Sequence, residues 1–114
     1  MSEKFRSVVL YKNYFAEFFT EQRQKVKDKI LWTLRLIEEL PRVPETYLKS
    51  LEETDALFEI RIKQGSDIFR VFCIFDEDKI VVLFNAFQKK TQKTPKREIE
   101  KALKIKEEYY AGKK

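Results

Sequence analysis

Histidine is missing from the chain altogether, and cysteine occurs once. The first absence excludes Ser-His-Asp triads, Cys-His dyads, histidine-ligated zinc and histidine acid–base ribonuclease chemistry. The lone Cys73 excludes an internal disulfide and gives no reason to expect an oxidising compartment. Two glycines cannot build a GxGxxG turn or a GxxxxGKS/T phosphate cradle, so nucleoside-triphosphate chemistry is not expected. No apolar run approaches 18 residues, so no membrane span is expected. The first residues, MSEKFRSVVLYKNY, lack an apolar signal core and a small-residue cleavage site, and the expected compartment is the cytoplasm.

What the 114 residues do contain is enough for one core. Apolar side chains make up 43% of the chain, including ten Phe, five Tyr and one Trp, so a single domain over residues 1–114 is expected. Charge is plentiful but mixed, which argues against a disordered tail. The net charge of +5 is unevenly placed. Residues 86–114 carry ten Lys/Arg against four Asp/Glu, whereas residues 1–85 are close to neutral. The excess concentrates in residues 87–97, FQKKTQKTPKR, with five cations and no acid. A one-sided basic patch fits a phosphate-rich partner, and equally fits a solvated helix end.

Hydrophobic spacing predicts an α+β domain in the order β-α-α-β-β-β-α. Residues 7–11 read as a short strand. Tyr11, Tyr14, Phe15, Phe18 and Phe19 mark one helical face, with Asn13 as its N-cap. Val26, Ile30, Thr33 or Leu34, Ile37 and Leu40 mark a second, ended by Pro41. Two helices packed as a hairpin are expected. Residues 41–55 read as a loop. Residues 57–63 (LFEIRIK) alternate as a strand, with Glu59, Arg61 and Lys63 on the polar side. Residues 68–75 (IFRVFCIF) suit a central strand covered on both faces. Residues 80–87 complete an antiparallel meander through turns at 64–67 and 76–79. Thr94 and Pro95 are expected to open a last helix, as N-cap and first residue, whose apolar face is Ile99, Ala102, Leu103 and Tyr110.

Arg70 is the one charge in its strand. A guanidinium there costs desolvation energy unless partnered. One reading is an internal salt bridge, for which Glu59 on the neighbouring strand is the candidate. The other is a site arginine holding a phosphate bidentately. Arg61, Lys63, Arg70, Lys89 and Lys90 can share one face of the meander, with Lys89 and Lys90 just beyond its last strand. The acids at Glu52, Glu53 and Asp55, and at Asp76, Glu77 and Asp78, read as solvated loop and turn residues. Cys73 reads as a small buried hydrophobe. Tyr109 and Tyr110 read as packing of the helix end, with base stacking or a phenol role as the alternative.

Three segments carry a family resemblance: residues 57–61, residues 68–70, and FQKKTQKTP directly after an apolar strand and before a Glu/Lys-rich helix. The chain resembles the HigB-type branch of the RelE/ParE toxin superfamily, the phage-derived or addiction-module killer proteins, over nearly its whole length. The resemblance implies a RelE-like fold, with two N-terminal helices on a small curved antiparallel sheet and a C-terminal helix. It implies a toxin of a type II toxin–antitoxin system that cleaves translated mRNA on the ribosome. It implies no cofactor and no metal, since the RNA 2′-OH attacks the adjacent phosphate. It also implies a helix-turn-helix, HigA-like antitoxin, through which alone operator DNA would be met. Carried over by position, Arg70, Arg61, Lys89 and Lys90 are the catalytic cations, and Lys63, Lys93, Lys96 and Arg97 bind RNA. Two departures bear on the proton-transfer groups: some HigB toxins use histidines, and RelE uses a tyrosine near its C-terminus with no clear equivalent here. A lysine whose pKa is lowered by clustered cations is the candidate base. The competing expectations are a ParE-like gyrase poison and a non-catalytic RNA- or protein-binding module.

Overall fold

The apolar segment in the middle of the chain becomes the centre of a five-stranded sheet. The computed structural model describes residues 4–52, 54 and 56–113. Its elements run β1 (Ser7–Leu10), α1 (Tyr14–Thr20), α2 (Gln24–Glu39), β2 (Leu48–Ser50), β3 (Phe58–Gln64), β4 (Asp67–Asp76), β5 (Ile80–Lys89) and α3 (Lys96–Gly112). The strands lie in the order β1-β5-β4-β3-β2. Pairing is antiparallel except between β1 and β5, which are parallel.

This mixed α+β architecture departs from the sequence expectation in three ways. The sheet is not purely antiparallel. The chain opens on a strand, as the hydrophobic spacing predicts, so the two helices that the resemblance implies are not strictly N-terminal. A short fifth strand, β2, forms inside the segment read as loop, because Leu48 pairs with Ile60 and packs on the core from the sheet edge. Glu53 and Asp55 lie outside the described residues.

The two faces of β4 explain its composition. Phe69, Val71 and Cys73 face α1 and α2, where Phe15, Val26, Ile30 and Ile37 meet them. Phe72 and Ile74 face α3, where Ala102 and Ile105 meet them beside Val82 and Phe84. A strand buried on both sides must be apolar on both. Each fully buried Phe or Ile contributes about 1.5–3 kcal/mol, so the register of β4 is tightly held. Cys73 is fully buried, as expected, and burial pushes its thiol pKa up.

The helices form where the periodicity put them, with corrections at their ends. Arg23 takes an extended conformation and separates α1 from α2, and α2 ends before Leu40 and Pro41. Asn13 sits at the α1 N-cap without a capping side-chain bond. The aromatic face expected of α1 divides: Phe15, Phe18 and Phe19 pack on the α1/α2 side, while Tyr11 and Tyr14 join the α3 side. Pro95, not Thr94, occupies the N-cap of α3. The buried face of α3 includes Ile105, and Tyr109 rather than Tyr110 turns inward. No helix among the described residues is long and apolar enough to cross a membrane.

Both meander turns use left-handed backbone. Gly65 supplies φ +64° in the first. Glu77 and Asp78, at φ 54° and 64°, form the second. Asp tolerates that region better than most residues.

Candidate functional site

A register shift in β5 decides which side chains meet Arg70. Val71 pairs with Ala86, but Cys73 pairs with Leu83. One extra β5 residue therefore stands between them, and Phe84 and Asn85 together oppose Phe72. Without that bulge, strict alternation from Phe84 would bring Ala86 and Gln88 to the α3 side. With it, Phe87 and Lys89 face that side. Cross-strand rows follow from the register: Arg61–Arg70–Phe87, and beyond it Lys63–Ile68–Lys89. Gln88 is instead exposed and donates to Asp67 at 3.4 Å.

The bulge also fixes the start of α3. Asn85 Nδ2 donates to the Glu98 carbonyl and to Glu98 Oε1, both at 3.1 Å. From there α3 runs over Phe72 and Ile74 toward Asp76. The end of the sheet face carrying Arg61, Arg70 and Lys89 lies outside the apolar cluster that α3 closes.

One carboxylate serves this end. Glu59 is 4% exposed, and its Oε1 lies 3.4 Å from Arg61 Nε and 3.7 Å from Arg70 Nε. Arg70 is 7% exposed and donates through Nη1 to its neighbour's carbonyl, Phe69 O, at 3.1 Å. Among the described residues, Arg70 Nε and Glu59 Oε2 are buried with no hydrogen-bond partner. The internal ion pair anticipated for Arg70 thus exists, but it is shared and long. Among the described residues Glu59 is the one acid paired with Arg61 and Arg70, and Lys89 shares their electrostatic field, so the cluster retains positive charge where water is partly excluded. Burial lowers the Arg70 pKa, with Glu59 opposing and Arg61 adding. Burial likewise lowers that of Lys89, and the charges of Arg70 and Arg61 push the same way against Glu59.

Beside this cluster opens a cleft of about 520 Å³ lined by Arg61, Lys63, Arg70, Ile68, Tyr47 and Lys29, among others. It lies where β2 stops. Tyr47 O accepts from Arg61 N at 2.8 Å, and no described strand covers the outer edge of β3 past that point. A second depression, lined by Ser66, Ile68, Lys89, Lys90, Thr91 and Gln92, continues from Ile68.

The structure therefore gathers Arg61, Lys63, Arg70 and Lys89 on one face, with Lys90 at its margin. Lys89 belongs to β5 itself, which runs two residues further than expected. Lys93 in the following loop, and Lys96 and Arg97 in the first turn of α3, are exposed and line neither hollow. Tyr109 is elsewhere: its hydroxyl donates to Asp76 Oδ2, six residues along β4 from Arg70. Burial, then the Asp76 carboxylate, pushes its pKa up to about 12. Tyr110 is 40% exposed on the outer side. Sequence reasoning did not select Lys29, Thr46 or Tyr47. No local pattern marks them, because only the end of β2 and the packing of α2 bring them to the cleft.

Residues 17–107, which include every residue of this cluster, match the model of the family described as phage-derived protein Gp49-like (DUF891). Among solved structures the chain is similar to a chain of the archaeal RelE–RelB complex from Pyrococcus horikoshii. The TM-score is 0.51 at 17% identity, over 72% of this chain and 92% of that one. At that identity the likeness is one of fold. Among curated proteins there is no match.

Proposed function

The chain belongs to the family of Gp49-like phage-derived proteins, and from that premise we propose that it is the toxin of a type II toxin–antitoxin pair, a HigB-type endoribonuclease that cuts mRNA on the ribosome. The observation that carries this reading is the charge imbalance around Glu59. A structural ion pair needs one cation per carboxylate. Here two arginines lie against one acid among the described residues, with Lys89 in the same electrostatic field, and a half-buried excess of positive charge is an anion site awaiting its anion.

A phosphodiester supplies that anion, and its reaction uses these groups. The 2′-oxygen attacks phosphorus, forming a 2′,3′-cyclic phosphate, and the bond to the next nucleotide's 5′-oxygen breaks. Negative charge grows on the non-bridging oxygens, where the fixed guanidiniums of Arg70 and Arg61 stabilise it. The 2′-OH proton goes to a base, and the 5′-oxygen takes one from an acid. Lys89 is the base in this scheme, since its lowered pKa raises the neutral fraction near neutral pH. Lys63, Lys90, Lys93, Lys96 and Arg97 hold flanking backbone phosphates. The ribosome presents the mRNA in line, which a small open site cannot do alone. The chain's own cations meet the charge demand of the reaction without a metal.

The implied partner is a helix-turn-helix, HigA-like antitoxin, and operator DNA is reached through it. The similarity to a chain solved in a toxin–antitoxin complex, RelE with RelB, supports a protein partner of that kind.

The test is mRNA cleavage on programmed ribosomes, mapped by primer extension, for wild type and Arg70→Ala. Ribosome-dependent cuts that vanish in the variant, with its thermal midpoint retained, are expected. Growth arrest without RNA cleavage by a folded protein would overturn the ribonuclease reading in favour of gyrase or a non-catalytic target.

A further inference from the structure

The sole tryptophan of the chain is on the surface. Trp32 lies on α2, off the stripe of Val26, Ile30, Thr33 and Ile37 that α2 buries, and it is 45% exposed. Its indole is not isolated. Tyr47 meets it edge-on, with ring centroids 5.6 Å apart and planes at 69°, and Lys29 Nζ stands 4.3 Å from its centroid. Lys29 covers part of the ring, yet the edge-on contact with Tyr47 still leaves nearly half of Trp32 exposed. Tyr47 and Lys29 also line the cationic cleft that holds Arg61, Lys63 and Arg70. Lys29 is common to that cleft and to an adjoining depression lined by Trp32, Lys25, Asp28 and Gln64. A continuous surface therefore runs from the Arg70 guanidinium, past Arg61 and Tyr47, to an exposed indole with Lys29 over its ring and Lys25 and Asp28 beside it.

Flat apolar rings spaced along an anionic backbone are the chemistry that such a surface complements. Duplexes keep their base faces stacked internally, so the complementary ligand is a single strand with its bases accessible. We infer that Tyr47 and Trp32 form a base-stacking subsite that takes a nucleobase flanking the phosphate at Arg70. This rests on the ribonuclease reading of the cationic cleft and adds a second contact to it. The aromatic pair contributes affinity and strand direction. It touches no reacting atom, so it is a positioning subsite.

The probe is a short single-stranded oligoribonucleotide carrying 2′-O-methyl groups, which cannot be cleaved, and a base-free strand with the same backbone. Binding is read by anisotropy of a terminal dye and by Trp32 emission, which reports on this one position because no other tryptophan exists. The base-bearing strand is expected to quench Trp32. Tyr47→Ala and Trp32→Ala are expected to weaken its binding at least about fivefold each. Tyr47→Phe and Trp32→Phe, which keep a ring, are expected to bind near the wild-type level. The base-free strand should bind wild type and Tyr47→Ala alike. Binding that is lost with Arg70→Ala, yet indifferent to both aromatic positions and silent in Trp32 emission, would overturn the subsite and leave the cleft reading intact. No binding by wild type, or binding unaffected by Arg70→Ala, would overturn the cleft reading and the subsite with it. A folded midpoint for each variant separates these results from unfolding.

Discussion

At one end of the sheet face beneath α3, two carboxylates, Asp76 and Glu108, are each matched by a cation and a tyrosine hydroxyl. Asp76 accepts from Tyr109 and from Lys113, the latter at 2.6 Å. Nearby, Glu108 takes Lys12 on one oxygen and the Tyr14 hydroxyl on the other, both at 3.0 Å. At the opposite end, Glu59 is the one acid among the described residues that pairs with Arg61 and Arg70, and Lys89 lies in their electrostatic field. The two ends share a sheet face and similar residue types, so local sequence does not distinguish them. They differ in closure. The matched end ties α3 to β4 and α1, which is structural work. The unmatched end lies beyond the start of α3 and keeps buried charge that the fold does not neutralise. Charge balance around a carboxylate, rather than the number of cations, is therefore what marks the unmatched end as the candidate site.

Substitutions that move charge at one end only test this contrast. The largest expected effect is from Arg70→Ala, which should lower ribosome-dependent cleavage roughly 100-fold or more, the scale seen when one preorganised donor is removed from a transition state. Arg70→Lys should recover little, since an ammonium cannot replace a bidentate fork. Next comes Glu59→Gln. Removing the shared acid leaves two arginines unopposed, and urea unfolding should show a loss of about 3 kcal/mol. Affinity for a single-stranded RNA should hold or rise in the same variant. A loss of RNA affinity without a loss of stability would reverse the assignment of Glu59.

A pH profile sharpens the comparison further. In the proposed scheme Lys89 acts when neutral, and burial lowers its pKa, so cleavage should rise with pH and level off below the ordinary lysine value of about 10.4. Lys89→Arg should abolish that ionisation. A wild-type rate with no ionisation below the ordinary lysine value of about 10.4 would count against Lys89 as the base.

The smallest effect is expected at the matched end. Asp76→Asn should lower the thermal midpoint by a few degrees and leave cleavage within about twofold. Hydrogen bonds from Lys113 and Tyr109 hold the Asp76 carboxyl below its usual range. Its stabilisation is therefore present above the unfolded value of about 3.9 and lost as pH falls through the lower folded value. The variant should lack that part of the acid-unfolding limb.

Some of the site is legible without a structure. Arg70 stands out because a single charge in an apolar strand must find a partner, and Glu59 was the evident one across β3 and β4. The alternation of residues 57–63 puts Arg61 and Lys63 together because a strand has period two. Lys89 is different. Alternation counted from the apolar residues of β5 points Gln88, not Lys89, toward Arg70, and only the bulge at Phe84 and Asn85 reverses this. Tyr47 and Trp32 are fifteen positions apart and on different elements. Their meeting depends on where α2 crosses the sheet. Tyr109 and Tyr110 are ambiguous in a helix whose apolar stripe is narrow, until Asp76 captures one of them.

The sequence by itself determined the α+β class, the doubly covered central strand, the helix stops and the concentration of basic charge. Each follows from short-range rules: the period of the apolar pattern, the missing N–H of proline, and the cost of burying a lone guanidinium. The tertiary structure decided the parallel edge strand, the fifth strand, the face taken by Lys89 and the end of the sheet that α3 leaves uncovered. Those depend on the register between strands distant in sequence and on one inserted residue. A shift of one position there exchanges every inward side chain for an outward one.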